Sequence, residues 1–242
     1  MKRALVTGGG TRIGAALALA LGEDGYDVGV HCYRTKVGAA EIAQKITKLG
    51  RRATVIEADL ADPGAAKKIA STIKTEFGGL ELLVNSASFW PSPETLSAEF
   101  DLLGETLENW EHTMAVNVRA PFFLMQQCAP MLSENKLGQI INILDQSISK
   151  PYQDRAAHTG SKSALAALTK LAAKELMGKV RVNGLEFGAI LPPPGISPSE
   201  EKKLRWGGTA AAVKGMRFLI ENDFVSGEII PIRGEWHLGV KD

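Results

Sequence analysis

Short apolar runs alternate with longer amphipathic segments along the whole chain. Runs such as RALVT and DVGVHCY are short and mostly apolar, which is typical of buried strands. Between them, apolar residues recur every three or four positions, which favours helices. The pattern predicts strands at 3–7, 27–33, 53–59, 80–85, 139–144, 179–185 and 228–232, and helices at about 13–24, 38–49, 63–77, 106–117, 119–133, 157–177 and 209–221.

Strands of this kind, separated by helices, predict a parallel sheet with helices on both faces. Right-handed crossovers make it an α/β doubly wound sheet of the Rossmann type, with about seven strands. No repeat or linker interrupts the pattern, so we expect one domain over 1–242, with a short substrate loop at about 188–207. Ligands of such sheets bind beyond the carboxyl ends of the strands.

Composition narrows the function classes. A net charge of +1 provides no field for nucleic acid or for an anionic membrane, so neither partner is expected. The two cysteines, Cys32 and Cys128, lie in apolar surroundings and are interpreted as reduced thiols. No apolar run approaches membrane-spanning length, and the first residues enter a strand directly. We expect a soluble cytoplasmic protein.

The segment TGGGTRIG (7–14) joins the first strand to the first helix. It does not match the G-x-G-x-x-G fingerprint, and no Gly-Lys-Ser/Thr follows, which excludes a phosphate-binding NTPase loop. Its glycines still let the backbone approach a phosphate, and a helix amino end favours an anion. A glycine-rich turn without any ligand is the alternative.

The second strand ends in HCYRTK (31–36), without the acid that a NAD site places on the ribose. A guanidinium binds a 2′-phosphate bidentately, and Arg34 is well placed for it, with Lys36 nearby. Arg12, within the glycine loop, approaches from the other side. The segment therefore favours NADP over NAD, and the alternative is that Arg34 is a surface arginine.

The segment AAHTGSKSAL (156–165) places His158 and Lys162 four residues apart, on one face of a helix. Two adjacent basic groups indicate either a solvated helix start or an anionic or reactive group against that face.

Four segments together carry a family resemblance: TGGGTRIG, D59-L60, N85-S-A87 and the face around Lys162. The chain resembles the short-chain dehydrogenase/reductase family over nearly its whole length. TGGGTRIG with Arg12, LVNSASFWPSP (83–93) and NILDQS (142–147) are similar to the pteridine reductases.

The resemblance implies a cofactor site for NADP(H), with no metal ion. Asp59 and Leu60 would contact the adenine, Asn85 and Ala87 would border the riboses, and Lys162 would bind the nicotinamide ribose. The full implied set is Gly8, Thr11, Arg12, Ile13, Gly14, Tyr33, Arg34, Asp59, Leu60, Asn85, Ala87, Lys162, Gly188 and Ile190.

The resemblance also implies catalytic residues. Asp145 takes the position of the usual serine, Lys162 provides positive charge, and Asn117 would hold a water for proton relay unless it is a capped or kinked helix asparagine. Phe89 would stack on a pterin ring, or else pack under a loop. The implied substrate contacts are Ser88, Phe89, Asp145 and His158.

The most consequential departure is His158, because the family has a proton-donating tyrosine there. Imidazole is also a general acid. Lys162 disfavours the imidazolium, whereas a nearby Asp145 would favour it and produce an oriented, protonated acid. Tyr152, in the preceding loop, is a substitute donor if that loop folds over the pocket.

Two further segments depart from the family pattern. E186-F187-G188 stands where Pro-Gly is usual, and R233-G234-E235 replaces Asp-Gly-Gly. Two functions stay open. One is an NADPH-dependent reductase of a small planar substrate, pterin-like or a carbonyl compound. The other is an impaired NADP-binding homologue with a regulatory or interaction role. The resemblance also implies a homo-oligomer, a tetramer or a dimer.

Overall fold

The parallel sheet predicted from the sequence is present in the computed structural model, which describes residues 2–90, 102–134, 138–192, 197, 199 and 205–234. Seven strands form one sheet in the order β3-β2-β1-β4-β5-β6-β7, and every neighbouring pair is parallel. The strands are β1 (Lys2–Val6), β2 (Tyr26–Cys32), β3 (Ala53–Glu57), β4 (Leu82–Asn85), β5 (Gly138–Asp145), β6 (Val180–Phe187) and β7 (Ile229–Ile232).

Helices cover both faces of the sheet, as predicted. They are α1 (Arg12–Glu23), α2 (Lys36–Lys48), α3 (Ala65–Phe77), α4 (Leu107–Met114), α5 (Ala120–Ser133), α6 (Ala156–Glu175) and α7 (Gly208–Glu221). One apolar cluster lies under α1, α2 and α7, and a second lies under α3, α5 and α6. Strands β1, β4, β5 and β6 contribute side chains to both clusters, so apolar residues stand at successive positions in their sequences.

Local chemistry explains the differences from the predicted bounds. Helix α3 begins at Ala65 rather than at 63, after Pro63 and Gly64. Strand β6 continues to Phe187, because it pairs with β5 as far as Asp145. Helices α4 and α5 are joined by a π-helical turn, Ala115–Arg119. Such turns occur mostly within helices at functional sites.

The order of the strands reverses between β1 and β4, so their carboxyl ends open the crevice where such sheets bind ligands. Most of the predicted substrate loop at 188–207 lies outside the described residues. Within the described part of the chain, no helix combines the length and the apolar character needed to cross a membrane.

Candidate active site

The glycine loop between β1 and α1 is packed so closely that two of its glycines, Gly10 and Gly14, leave no room for a side chain. Gly8 has a φ of +66°, a conformation that favours glycine. A Cβ on Gly14 would overlap the carbonyl oxygen of Gly8, and a Cβ on Gly10 would overlap Thr35. Thr11 is the N-cap residue of α1, but its side chain makes no capping hydrogen bond. The first turn of α1 contains no acidic residue. The amino end of α1 is therefore suited to an anion.

Three cationic side chains stand in or after the segments that follow β1 and β2: Arg12, Arg34 and Lys36. Arg34 is exposed and its guanidinium lies 5.3 Å from the centre of the Tyr33 ring. Lys36 instead pairs with Glu57 at 2.7 Å. No ion pair joins Arg34 to a carboxylate among the described residues. Arg12, with a φ of +50°, donates to the Pro192 carbonyl at 2.8 Å.

The residues predicted to border the adenine and the riboses lie at the same edge of the sheet. Asp59 accepts the Ala61 N–H at 2.9 Å, which closes a tight turn after β3. The Ala87 N–H donates to the Thr7 hydroxyl at 3.0 Å, and this bond fastens β4 to the start of the glycine loop. Asn85 is buried and donates to Asn142 at 2.8 Å.

Other members of the predicted set are fixed by packing. Leu60 is buried in the core under α3, and Ile190 is buried in the core under α1 and α7, so its side chain faces away from solvent. Ile13 packs against the latter core. The Gly188 N–H donates to Ile232 at 3.1 Å and leads the chain out of β6.

His31, to which the sequence assigned no role, connects two parts of this edge. Its Nδ1 accepts the Gly8 N–H at 3.2 Å, and its Nε2 lies 3.1 Å from the Ala58 carbonyl oxygen. An amide N–H only donates and a carbonyl only accepts, so the imidazole is neutral with its proton on Nε2. Burial lowers the pKa of His31 to about 4, against the opposing effects of the Ala58 bond and Asp59.

The buried His31 should make the protein sensitive to mild acid. Unfolded histidine binds a proton below about pH 6.5 and folded His31 only below about 4. The contribution of His31 to the free energy of unfolding is therefore complete above pH 6.5. It is lost as the pH falls towards 4, at a cost of roughly 3 kcal/mol. Urea unfolding at pH 7.5 and 4.5 measures it. We expect His31→Gln to lose less stability than the wild type over this interval; equal losses would contradict the assignment.

The imidazole of His158 faces Asp145, as the sequence predicted. Its Nε2 makes a short hydrogen bond to a carboxylate oxygen of Asp145, and its Nδ1 lies 3.4 Å from the Phe89 carbonyl oxygen. Both ring nitrogens thus face acceptors, an arrangement that suits an imidazolium. The side chain of His158 is 2% exposed and that of Asp145 is 21% exposed. Solvent therefore reaches this pair through Asp145.

Asp145 remains ionised although it is partly buried. Burial favours the neutral acid, but hydrogen bonding and charge from His158, the charge of Lys162 and a hydrogen bond from Ser147 together lower the pKa of Asp145 to about 2. The Ser147 N–H donates to the carboxylate at 2.8 Å, and the Ser147 hydroxyl donates as well. The carboxylate thus keeps its charge through the neutral range.

Lys162 lies on the buried face of α6, one turn after His158. Its Nζ donates to the Ile143 carbonyl at 3.0 Å. Burial lowers the pKa of Lys162, while the charge of Asp145 opposes this. The charge of Asp145 therefore interacts with both basic groups and offsets the repulsion between them.

Asn117 lies in the π-helical turn and its amide hydrogen bonds to protein groups at both ends. Its oxygen accepts from the Phe89 N–H at 2.7 Å and from Ser88 at 3.3 Å. Its nitrogen donates to the Phe89 carbonyl and to Ser161, both at 3.1 Å. The side chain therefore fixes the 88–89 segment against α6. Its role of holding a water for proton relay stays a prediction.

The aromatic side chain beside His158 is Trp90, which the sequence did not single out. The two ring centres are 4.5 Å apart, at an interplanar angle of 74°. Phe89, predicted to stack on the substrate, packs edge to face on His112 of α4, with the ring centres 4.4 Å apart. Trp90, rather than Phe89, is therefore the aromatic ring that contacts the imidazole of His158.

Tyr152 packs against Trp90, with the ring centres 5.8 Å apart. Burial raises the pKa of Tyr152 to about 12, and the charge of Asp145 acts in the same direction. Its phenol therefore holds its proton firmly, which disfavours it as the substitute donor.

The two segments that depart from the family pattern meet in the structure. Arg233 follows β7 and forms a short ion pair with the buried Glu186 of β6. The same guanidinium donates to Ser149 at 2.8 Å. The two substitutions therefore compensate each other's charge.

Comparison with known proteins identifies relatives. Residues 2–202 match the family model described as short chain dehydrogenase. The 3-oxoacyl-[acyl-carrier-protein] reductase FabG of Staphylococcus aureus is 26% identical, over 98% of each chain.

Solved structures resemble the whole chain. FolM alternative dihydrofolate reductase 1 from Brucella canis, crystallised with NADP, is 28% identical with a TM-score of 0.90, covering 100% of this chain and 96% of that one. Acetoin dehydrogenase YohF from Salmonella typhimurium is 27% identical with a TM-score of 0.87, covering 100% and 98%. These relatives are named for three different substrates.

Proposed function

The chain belongs to the short-chain dehydrogenase family, and from this premise we propose that it is an NADPH-dependent reductase. Its substrate would be small and planar, either pterin-like or a carbonyl compound. The observation that carries the proposal is the part-buried hydrogen bond between His158 and Asp145, at the position where the family resemblance implies the proton donor.

The residues at the edge of the sheet suit NADP(H). The glycine loop has no room for Cβ atoms at positions 10 and 14, so a diphosphate would meet backbone N–H groups at the amino end of α1. Arg34, and Arg12 across the loop, would hold the 2′-phosphate, and Lys162 would hold the nicotinamide ribose. NADP is present in the crystals of the Brucella canis FolM, a protein of the same fold.

Arg34 should set the preference for NADPH over NADH. A guanidinium–phosphate hydrogen bond is charge-assisted, so Arg34→Gln should weaken NADPH binding roughly tenfold to hundredfold and leave NADH binding unchanged. Lys36→Gln is the matched control, because Lys36 is already paired with Glu57. Fluorescence titration of both cofactors measures the effect. A wild type that prefers NADH would refute the assignment.

When bound, reduced nicotinamide supplies a hydride to the substrate. The product also gains one proton, which we assign to His158. The proton would leave Nε2 along the hydrogen bond to Asp145, whose carboxylate is the more exposed of the pair. Asp145 would pass it to the substrate directly or through a bridging water, and the pair would regain a proton from solvent.

The fixed position of the Phe89 carbonyl supports this role. The carbonyl lies 3.4 Å from Nδ1, and Asn117 holds it in place. The imidazole is therefore oriented from both sides, which general acid catalysis requires. Trp90 provides a flat apolar surface beside it, which suits a planar substrate.

The proposal is tested by following NADPH oxidation with dihydropterins and with a panel of ketones and aldehydes. Turnover with either class supports a reductase, and the ratio of kcat/KM values distinguishes pterins from carbonyl compounds. Binding of NADPH without turnover of any compound would support the second candidate, an impaired homologue with a regulatory role. The burial of His158, whose side chain is 2% exposed, favours that candidate.

A further inference from the structure

His31 is a buried histidine that the proposed reaction does not use. It lies near the carboxyl end of β2, beside the crevice. Among the described residues, it makes no hydrogen bond to His158 or Asp145. Its side chain hydrogen bonds to Gly8 in the glycine loop and to Ala58, the residue after β3. In addition, its backbone carbonyl accepts the Gly9 N–H at 2.8 Å. His31 thus accepts two hydrogen bonds from the glycine loop, one with its side chain and one with its backbone.

The two groups that His31 joins belong to different parts of the crevice edge. Gly8 is the first glycine of the loop. Its carbonyl oxygen lies where a side chain on Gly14 would be, and a side chain on Gly8 itself would contact Ala87. Ala58 directly precedes Asp59, whose carboxylate shapes the turn after β3. A shift of Gly8 therefore moves the start of α1, and a shift of Ala58 moves Asp59.

We propose that His31 is a positioning residue for the cofactor, which sets the separation between the glycine loop and the segment around Asp59. This inference rests on the proposed NADP(H) function, in which the loop would hold the phosphates and the second segment would border the adenine. His31 itself would not touch the cofactor.

Hydrogen-bond polarity makes this role specific to a side chain with one acceptor and one donor. A phenylalanine fills similar space but leaves the Gly8 N–H and the Ala58 carbonyl without partners. A glutamine offers one acceptor and one donor and has no titrating group. The charged group that acts on the imidazole is Asp59, and its effect is smaller than that of burial.

The test compares His31→Phe with His31→Gln. We expect His31→Phe to weaken NADP⁺ binding in calorimetry roughly tenfold to hundredfold, because two buried polar groups lose their partners. We expect His31→Gln to bind within roughly threefold of the wild type, since it restores both bonds. In turnover, the KM for NADPH should rise in His31→Phe while kcat stays unchanged. Wild-type affinity in His31→Phe would overturn the proposal.

Gln139→Leu is the control for general destabilisation. Gln139 is buried near the amino end of β5, at the end of the strands opposite to the crevice. Its amide donates to the Leu219 carbonyl at 2.7 Å. Its loss should leave NADP⁺ affinity unchanged. A fall equal to that of His31→Phe would mean that His31 acts through stability alone, which would also overturn the proposal. Should His31→Phe fail to fold, the shorter His31→Asn, which cannot span both partners, replaces it.

Hydrogen exchange of the Gly8 amide in the cofactor-free protein separates this inference from the proposed function. We expect faster exchange in His31→Phe than in the wild type or in Gln139→Leu, and restored protection in His31→Gln. If the wild type binds no NADP⁺, the proposed function fails, and the positioning of the cofactor fails with it even if exchange changes. If the wild type binds NADP⁺ and exchange at Gly8 is the same in all variants, only the role of His31 fails.

Discussion

Replacement of His158 with alanine should lower kcat by roughly 10²–10⁴-fold, the range expected when a general acid is removed. Affinity for NADPH should stay unchanged, because His158 lies on α6, away from the glycine loop. His158→Gln is the sharper variant, because a glutamine amide can donate to Asp145 but cannot release a proton. Steady-state NADPH oxidation with the best substrate of the panel measures both. A loss of less than tenfold in His158→Gln would show that the proton comes from elsewhere.

His158→Tyr separates the two candidate functions. Trp90 packs 4.5 Å from the imidazole, so a longer phenol needs the indole to move. In a working histidine-dependent reductase, we expect the tyrosine variant to be slower than the wild type. Turnover that appears only in His158→Tyr would identify an impaired homologue whose cofactor site survives.

The fold was predictable because burial on both faces of a parallel sheet leaves a direct mark on the sequence. In β1, Ala4 and Val6 lie in one core cluster and Leu5 lies in the other, so three successive positions are apolar. The ends of elements were less predictable, since they depend on neighbours in space. β6 continues to Phe187 because β5 offers it partners as far as Asp145, which is remote in sequence.

The His158–Asp145 pair was also predictable. His158 is at a defined helical spacing from Lys162, and Asp145 ends a strand whose carboxyl end faces the crevice. The spacing of His158 from Lys162 follows from helix geometry, whereas the family resemblance implied the position of Asp145. The structure adds the direction of each hydrogen bond and the contact with the Phe89 carbonyl, which no spacing encodes.

Trp90 and His31 were missed for different reasons. Which of two adjacent aromatic residues faces His158 depends on how the chain leaves β4, and the sequence does not record this. His31 carried a signal that was not used: a histidine within a strand buried on both faces must have hydrogen-bond partners. That argument identifies a bonded histidine but not Gly8 and Ala58 as its partners.

Replacement of Asp145 with asparagine should be as costly as removal of His158. The amide keeps the shape of the carboxylate but removes the charge that favours the imidazolium, so kcat should fall by roughly the same 10²–10⁴-fold. Because the two side chains would act as a unit, Asp145→Asn combined with His158→Gln should be no slower than the worse single variant. A kcat cycle over the four proteins measures this coupling.

Asp62→Asn is the control for this cycle, because the exposed Asp62 carboxylate also accepts a backbone N–H, that of Gly64 at 2.8 Å, and makes no hydrogen bond to Asp145 or His158 among the described residues. Its kcat should equal that of the wild type. The pKa of Asp145, at about 2, keeps the wild-type carboxylate charged across the neutral range. Lowering the pH from 7 to 5 therefore cannot mimic Asp145→Asn in the wild type. If the losses of Asp145→Asn and His158→Gln multiply in the double variant, the two residues act independently, and the proton does not travel through their hydrogen bond.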